Sequence, residues 1–481
     1  MTLLLGWPRE LTRRVTPLQR RILTVAILAS FVAFLDGSII NVALPAIQRE
    51  LGGGLPLQQW VVDGYLLSLG SLILIAGSLS DTFGRIRVMR IGLIWFGIMS
   101  LACALAPSGI VLVIARILQG VAAALLVPSS LALITSNFSG VARGKAIGAW
   151  TGLTGVAGIA GPLLGGVLVD TLSWRYVFAI NVLPIAVTLI ILAKITEPAR
   201  TTAAPPIDVL GACLAAIGLG GPVYALIEQG RVGWGNPQVY LPMVIGLVSF
   251  AAFIWWEARA AHPMMPLGLF RVRNFWVGNL ATAGIYAALS LGPFVLVLYL
   301  QEVGGYSATA AGLASVPATI MMLAFATLFG SLAAKHGPRL FMTLGPFVAG
   351  VGFLYLTAAV PPIDFWLHVV PGIVLLGLGL AITVAPLTAA VLGAISSAQA
   401  GIGSAINNAV ARVAGLIAIA MTGTIIGETL DIAGFQRAMG VVAALMFAGG
   451  VVSWLGIRTP RSQTDAAVSD AVAPPGDPLT N

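Results

Sequence analysis

The chain has 481 residues, 58% of them hydrophobic and only 9% charged, which leaves too little polar surface to clothe a soluble body of that length. Its two cysteines, Cys103 and Cys213, are too few for a disulfide framework or a thiolate metal cluster and read as buried packing residues. The net charge of +8 raises the question of a nucleic-acid partner, which the distribution of the basic residues answers below.

After a basic leader (1–21), apolar stretches occupy roughly 22–47, 60–80, 88–106, 110–136, 145–169, 174–194, 208–228, 238–256, 274–301, 307–334, 338–359, 365–393, 401–427 and 435–457. Each of these fourteen stretches meets or approaches the ~20 residues that a helix needs to cross ~30 Å of hydrocarbon. The runs do not alternate, which excludes a β-barrel, so the expected class is an all-α polytopic membrane protein. With the N-terminus placed inside, all but six of the 25 Lys and Arg fall on the cytoplasmic side or in the two termini. That asymmetry is the positive-inside pattern and excludes a DNA footprint; it puts both termini in the cytoplasm. The segment 458–481 is polar, without apolar periodicity, and reads as a disordered tail.

Asp36 lies 14 residues into the first span, about 21 Å from its start, where an ionised carboxylate is costly unless it is paired. Its natural counter-charge is Arg116 in the fourth span, with Gln119 one turn on. Proton binding to Asp36 would break such a pair, making Asp36 and Arg116 a candidate coupling site; a static bridge orienting two helices fits the same residues. Asp63 is placed about 5 Å inside the second span by rise, where a carboxylate at the membrane interface is the plain alternative to a second coupling residue. The loop that follows contains Gly77, Asp81, Gly84, Arg85 and Arg87. Its glycines permit a tight turn, and Asp81 can pair with the arginines or a neighbouring helix end in one conformation only, which would make it a latch; a solvated turn is the alternative.

In the fifth span Gly158, Gly161 and Gly165 recur at helical spacing around Pro162, a stripe that lets backbones approach and bend. Generic close packing explains the glycines as well. Tyr286, Phe294, Tyr299, Met321 and Trp150 are candidates for lining an apolar cavity, although such residues more often pack. The thirteenth span carries Asn407, Asn408 and Arg412, the last about 17 Å deep, with no acidic residue deep in the last six spans to receive it. Neutral, singly charged and anionic amphipathic substrates are all compatible with that pattern. Between the halves, GSLSDTFGRIR (77–87) recurs as GSLAAKHGPRL (330–340), which pairs the first six spans with the last six and makes the seventh and eighth an insertion. The expected units are the bundle 22–194, the inserted segment 195–273 and the bundle 274–457.

The 77–87 loop resembles the signature loop of the major facilitator superfamily. LDGSIINVALP (35–45), RILQG (116–120) and GVAGIAGPLLGG (155–166) are similar to motifs of its proton-coupled drug antiporters, and WRYVFAINVLP (174–184) with fourteen spans points to the drug:proton antiporter-2 group. The resemblance covers nearly the whole chain. It implies the major-facilitator fold, an antiport role for the fifth span and an acidic residue of the Asp63 kind followed by Tyr65, which joins Gln119, Asn407, Asn408, Arg412 and Tyr286 among the substrate-cavity candidates.

The expectation is thus a monomeric, proton-driven exporter of amphipathic small molecules in a bacterial inner membrane, needing no cofactor or metal. No phosphate loop is present, and His262, His336 and His368 do not cluster, so an enzyme is not expected. Export of an endogenous lipid, siderophore or metabolite is the alternative within transport; a transporter-like receptor or scaffold is the alternative outside it.

Overall fold

The computed structural model describes residues 16–195, 208–261, 263–396, 399–427 and 429–458, without the side chains of Leu74, Asp81, Gly140, Val141 and Ile159. Most of the leader, the tail, Arg200 and His262 therefore lie outside the described residues. Every regular element described is helical. The first half comprises α1 (Pro17–Leu51), α2 (Gly54–Phe83), α3 (Arg85–Ala104), α4 (Gly109–Asn137), α5 (Gly140–Gly155) continued by α6 (Ala157–Thr171), and α7 (Tyr176–Ala179) continued by α8 (Val182–Leu192). There follow α9 (Val209–Val232) and α10 (Pro237–Glu257). The last half comprises α11 (Arg273–Glu302), α12 (Ala308–Leu313) continued by α13 (Val316–His336), α14 (Pro338–Leu356), α15 (Val370–Leu392), α16 (Ala400–Ala420), α17 (Thr422–Ile426) and α18 (Ile432–Gly456).

Twelve helices among the described residues are long and apolar enough to cross a membrane. The chain is a multi-pass helical membrane protein. Polar caps start several helices where the sequence turns polar: Ser108 accepts from the Val111 N–H before α4, Ser307 from Ala310 before α12, and Asp431 from Gly434 before α18.

The internal repeat has a geometric counterpart. Gly84 separates α2 from α3 with φ of 99°, and Gly337 separates α13 from α14 with φ of 85°. Both are left-handed values that a side chain would strain, so the shared glycine of the two copies makes the same turn twice. Gly77 does not turn at all. It lies inside α2, because that helix continues to Phe83.

α1 packs on α6, α4 and α8, and α11 packs on α18 and α16. α9 and α10 pack on each other, and α9 also packs against α2 of the first half and α16 and α17 of the last. Cys103 is buried, as expected, whereas Cys213 is exposed on α9.

A candidate proton and substrate site in the middle of the bundle

Asp36 and Arg116 are both fully buried, and Arg116 Nη1 donates to Asp36 Oδ2 at 2.5 Å. The remaining groups complete a network. Gln119 Nε2 donates to Asp36 Oδ1 at 3.0 Å and to Ser100 Oγ at 2.9 Å, while its Oε1 accepts from Arg116 Nη1 at 2.7 Å. Asn181 Nδ2 donates to Asp36 Oδ1 at 2.8 Å. Arg116 Nε donates to the Val61 carbonyl at 2.9 Å, and the guanidinium sits 4.5 Å from the Tyr65 ring centroid and 5.6 Å from that of Phe178. Only Nη2 of the guanidinium is without a hydrogen-bond partner among the described residues.

Local chain features aim these groups. Asn181 occupies the two-residue break between α7 and α8, where the helix tightens and the Asn181 N–H bonds to the Phe178 carbonyl at 3.2 Å. The preceding Trp174 and Arg175 hold the end of α1 through Glu50, at 2.6 and 2.7 Å, which ties this segment to the helix that carries Asp36. Asn181, Ser100 and Phe178 were not singled out as site residues from the sequence. The one available signal was an amide in the middle of an apolar run.

Asp63 departs from its expected position. α2 begins at Gly54 rather than near residue 60, so Asp63 sits nine residues in, about 14 Å by rise, and is fully buried. Neither of its carboxyl oxygens has a hydrogen-bond partner among the described residues. Asp63 is thus an interior residue of α2 facing its neighbours rather than the first residue of the span.

A cavity of about 340 Å³ lies between the halves beside this network. Tyr65, Arg116 and Arg412 line it, together with Phe34, Asn41 and Ser290. Tyr65 is held by its hydroxyl, which donates to the Ala33 carbonyl at 3.1 Å. Arg412 is half-buried with its guanidinium 5.4 Å from the Phe34 ring centroid. The other cavity candidates are elsewhere: Gln119 belongs to the Asp36 network, Asn407 donates to Asn279 and Thr282, and Asn408 is exposed and donates to the Ser404 carbonyl. Tyr286 packs at the edge of the core, beside the Arg412 guanidinium that borders the cavity. Tyr299 and Phe294 are core residues, Tyr299 stacking on Phe435 at 3.8 Å and donating to the Ala359 carbonyl; Trp150 Nε1 donates to Ser30.

The glycine stripe divides by face. A Cβ at Gly161 or Gly165 would collide with Ser38, Ile39 and Val42 of α1, and one at Gly166 with Ala308 and Thr309 of α12. Gly158 meets open space and lines the cavity. Pro162 has no N–H to complete the ladder, and the helix breaks at Val156 just before it. At the break, the Ala157 carbonyl accepts from Ser38 Oγ at 2.9 Å. The Pro162 carbonyl in turn abuts Gly312 of α12, so α6 touches both halves at once.

The halves are closed against each other at the end of the bundle near Gly53. Asp170 accepts from the Ala308 and Thr309 N–H groups and from the Thr309 hydroxyl at 3.1, 2.8 and 2.6 Å. Gln59 Nε2 donates to the Ile419 and Ala420 carbonyls, Gln58 bonds Gln48 and Glu302, and Gln301 donates to the Val42 carbonyl. At the Gly84 end, Gly77 on α2 and Gly144, Gly148 and Gly152 on α5 face open space. A cavity of about 940 Å³ opens at the matching end of the last half, beside Arg273, Lys335 and Arg458. It lies away from the Asp36 network. Arg85 Nη1 donates to the Ala132 carbonyl at 3.1 Å, Arg87 is exposed but engaged, and the Asp81 side chain lies outside the described residues.

Similarity to known proteins follows the same lines. The Major Facilitator Superfamily model matches residues 26–419 and 280–478. The chain is 34% identical over 410 residues to "Multidrug resistance protein Stp" of Mycobacterium tuberculosis (strain CDC 1551 / Oshkosh), covering 84% of this chain and 75% of that one. It is 30% identical over 478 residues to "Puromycin resistance protein pur8" of Streptomyces alboniger, covering 94% of each, and 31% identical over 468 residues to "Tetracenomycin C resistance and export protein" of Streptomyces glaucescens, covering 95% and 83%. Among solved structures, a D-xylose-proton symporter superposes with a TM-score of 0.65 over 92% of this chain and 98% of its own at 16% identity, and a peptide transporter with 0.68 over 90% and 93% at 14% identity. At those identities the structures speak for the fold alone. The chain belongs to the major facilitator superfamily.

Proposed function

We propose that this protein exports amphipathic small molecules across a bacterial inner membrane, driven by inward proton movement. The observation that carries this reading is the fully buried Asp36, Arg116, Gln119 and Asn181 network against a cavity between two movable halves. Protonation of Asp36 removes the anion from an ion pair whose other member cannot give up its charge, so the network has two stable arrangements. Asp63 is fully buried with no hydrogen-bond donor to its carboxyl among the described residues, and it is the second coupling candidate. Names of export and resistance proteins among the relatives support the efflux direction.

In this reading the helix count is fourteen, as in the drug:proton antiporter-2 group: α2 and the broken α7–α8 segment join the twelve helices that are plainly long and apolar enough. The units are the bundles 22–194 and 274–457 with 195–273 inserted, and the protein works as a monomer with both termini cytoplasmic. The Gly84 end is then cytoplasmic and the state is inward-open. Gly77, Asp81, Gly84, Arg85 and Arg87 form the cytoplasmic latch of the opposite state, and Gly158, Gly161, Pro162 and Gly165 the antiport helix. Nothing in this reading requires a catalytic step.

Moving one proton inward gains ~2.3 kcal/mol per 100 mV from the potential alone, enough to support a concentration gradient without nucleotide hydrolysis. The test is uptake of ethidium and of dansyl-labelled acids into inverted membrane vesicles. Uptake that builds with an imposed proton gradient and collapses with a protonophore is expected; uptake indifferent to the protonophore would remove the proton-driven reading.

A further inference from the structure

We infer that the cavity between the halves selects an amphipathic anion, a carboxylate or comparable acid on an apolar or aromatic body, with Arg412 as its charge partner. This rests on the exporter reading above and names its substrate class. The cavity holds two arginines in opposite circumstances. Arg116 is fully buried, and Asp36, Gln119 and the Val61 carbonyl engage it. Arg412 is half-buried and borders the same cavity from the last half; no hydrogen-bond acceptor or carboxylate engages its guanidinium among the described residues, and it lies over the face of Phe34 with the neutral phenols of Tyr65 and Tyr286 nearby. An intramembrane arginine without a counter-ion is costly and belongs where a ligand or water completes it.

The acidic side offers nothing to a cation. Both Asp36 oxygens are occupied, one by Arg116 and the other by Gln119 and Asn181. Asp63 is buried away from the lining of the cavity. With Asp36 and Arg116 cancelling, the cavity is left one positive charge in excess. A guanidinium fork matches a carboxylate through two parallel hydrogen bonds, and the Phe34 ring beneath it offers a flat apolar face for the body of the ligand. Asn41 of α1 and Ser290 of α11 border the same space from opposite halves and supply neutral hydrogen-bonding groups.

The arrangement has a mechanistic consequence. Arg412 belongs to the last half and Phe34 to the first, so a bound anion is gripped across the seam along which the halves must move. Exporting one anion while importing one proton moves two charges in the direction that an inside-negative potential favours.

The test uses three fluorophores with one aromatic body: dansylglycine (anion), dansylamide (neutral) and dansylcadaverine (cation), titrated against the full chain in lipid nanodiscs. Dansylglycine is expected to bind at least roughly tenfold tighter than the other two, the scale of one charge-assisted contact. Arg412→Gln should erase that preference and Arg412→Lys should keep most of it. The wild-type ranking needs no variant, so it decides even if Arg412→Gln fails to fold. Equal or tighter binding of dansylcadaverine, survival of the preference in folded Arg412→Gln, or binding of none of the three would overturn the inference. Proton exchange in proteoliposomes separates the two layers. Exchange driven by dansylcadaverine but not by dansylglycine leaves an exporter and overturns the anion; the anion ranking without any proton exchange supports the inference about the cavity and removes the exporter.

Discussion

Replacing Asp36 by Asn leaves the Arg116 guanidinium buried without its anion, and breaking a buried pair from one side costs about 3–5 kcal/mol. The charge-neutral double variant Asp36→Asn with Arg116→Gln should recover much of that stability, read as a thermal midpoint in detergent, while remaining inactive. Recovery of transport along with stability would mean that the pair only orients helices. Asp63 behaves differently. Its carboxyl has no partner to lose, so Asp63→Asn should change stability by less than about 1 kcal/mol yet alter the pH profile of transport, whereas a structural carboxylate would show the reverse. The sequence carried the Asp36 and Arg116 contact because two opposite charges in apolar spans have few other ways to be satisfied. It misjudged the depth of Asp63 because Gly54 to Gln59, a polar and proline-containing stretch, reads as loop although it forms the first turns of α2. Asn181 and Ser100 stayed hidden because a single neutral polar residue in an apolar run carries no mark of the face it occupies.

At the scale of the helix, α6 owes its position to residues without side chains. Gly161→Val and Gly165→Val drive atoms into Ser38, Ile39 and Val42, and should cost about 1–3 kcal/mol as overpacking or separate α6 from α1 with loss of transport. Gly158→Ala points into open space and should fold and melt like the parent. Equal effects at all three positions would contradict the face assignment. The stripe itself was legible from its spacing; which glycine touches which helix was not, because periodicity names a face but not its neighbour. The repeat between 77–87 and 330–340 was legible to the level of the turn, since Gly84 and Gly337 share the left-handed backbone that the conserved spacing implies. Gly77 was misread as a turn residue because α2 persists one and a half turns past it.

For the molecule as a whole, the closure at the Gly53 end rests on hydrogen bonds between halves, with Asp170 capping the start of α12 the most heavily engaged. Asp170 is exposed, so solvent screens these hydrogen bonds and each contributes less than the ~1.5–3 kcal/mol of a buried charged acceptor. In a Cys213→Ser background, Asp170→Ala should raise the accessibility of Ser290→Cys to an impermeant thiol reagent from the Gly53 end; unchanged accessibility would assign the closure to apolar packing instead. The repeat between 77–87 and 330–340 is the sequence feature from which two halves and an insertion are proposed. The state of the bundle is not legible there, because the same sequence must fold into every state of the cycle.

In the proposed cycle Asp36 exchanges a proton in step with the substrate's movement. The direct measurement is proton release from proteoliposomes loaded with a pH-sensitive dye, on adding dansylglycine, dansylamide or ethidium, for the parent chain and for Asp36→Asn shown to be folded. A substrate-triggered proton signal is expected in the parent and is expected to disappear in Asp36→Asn. A signal of the same size in Asp36→Asn would instead make the buried pair a structural brace.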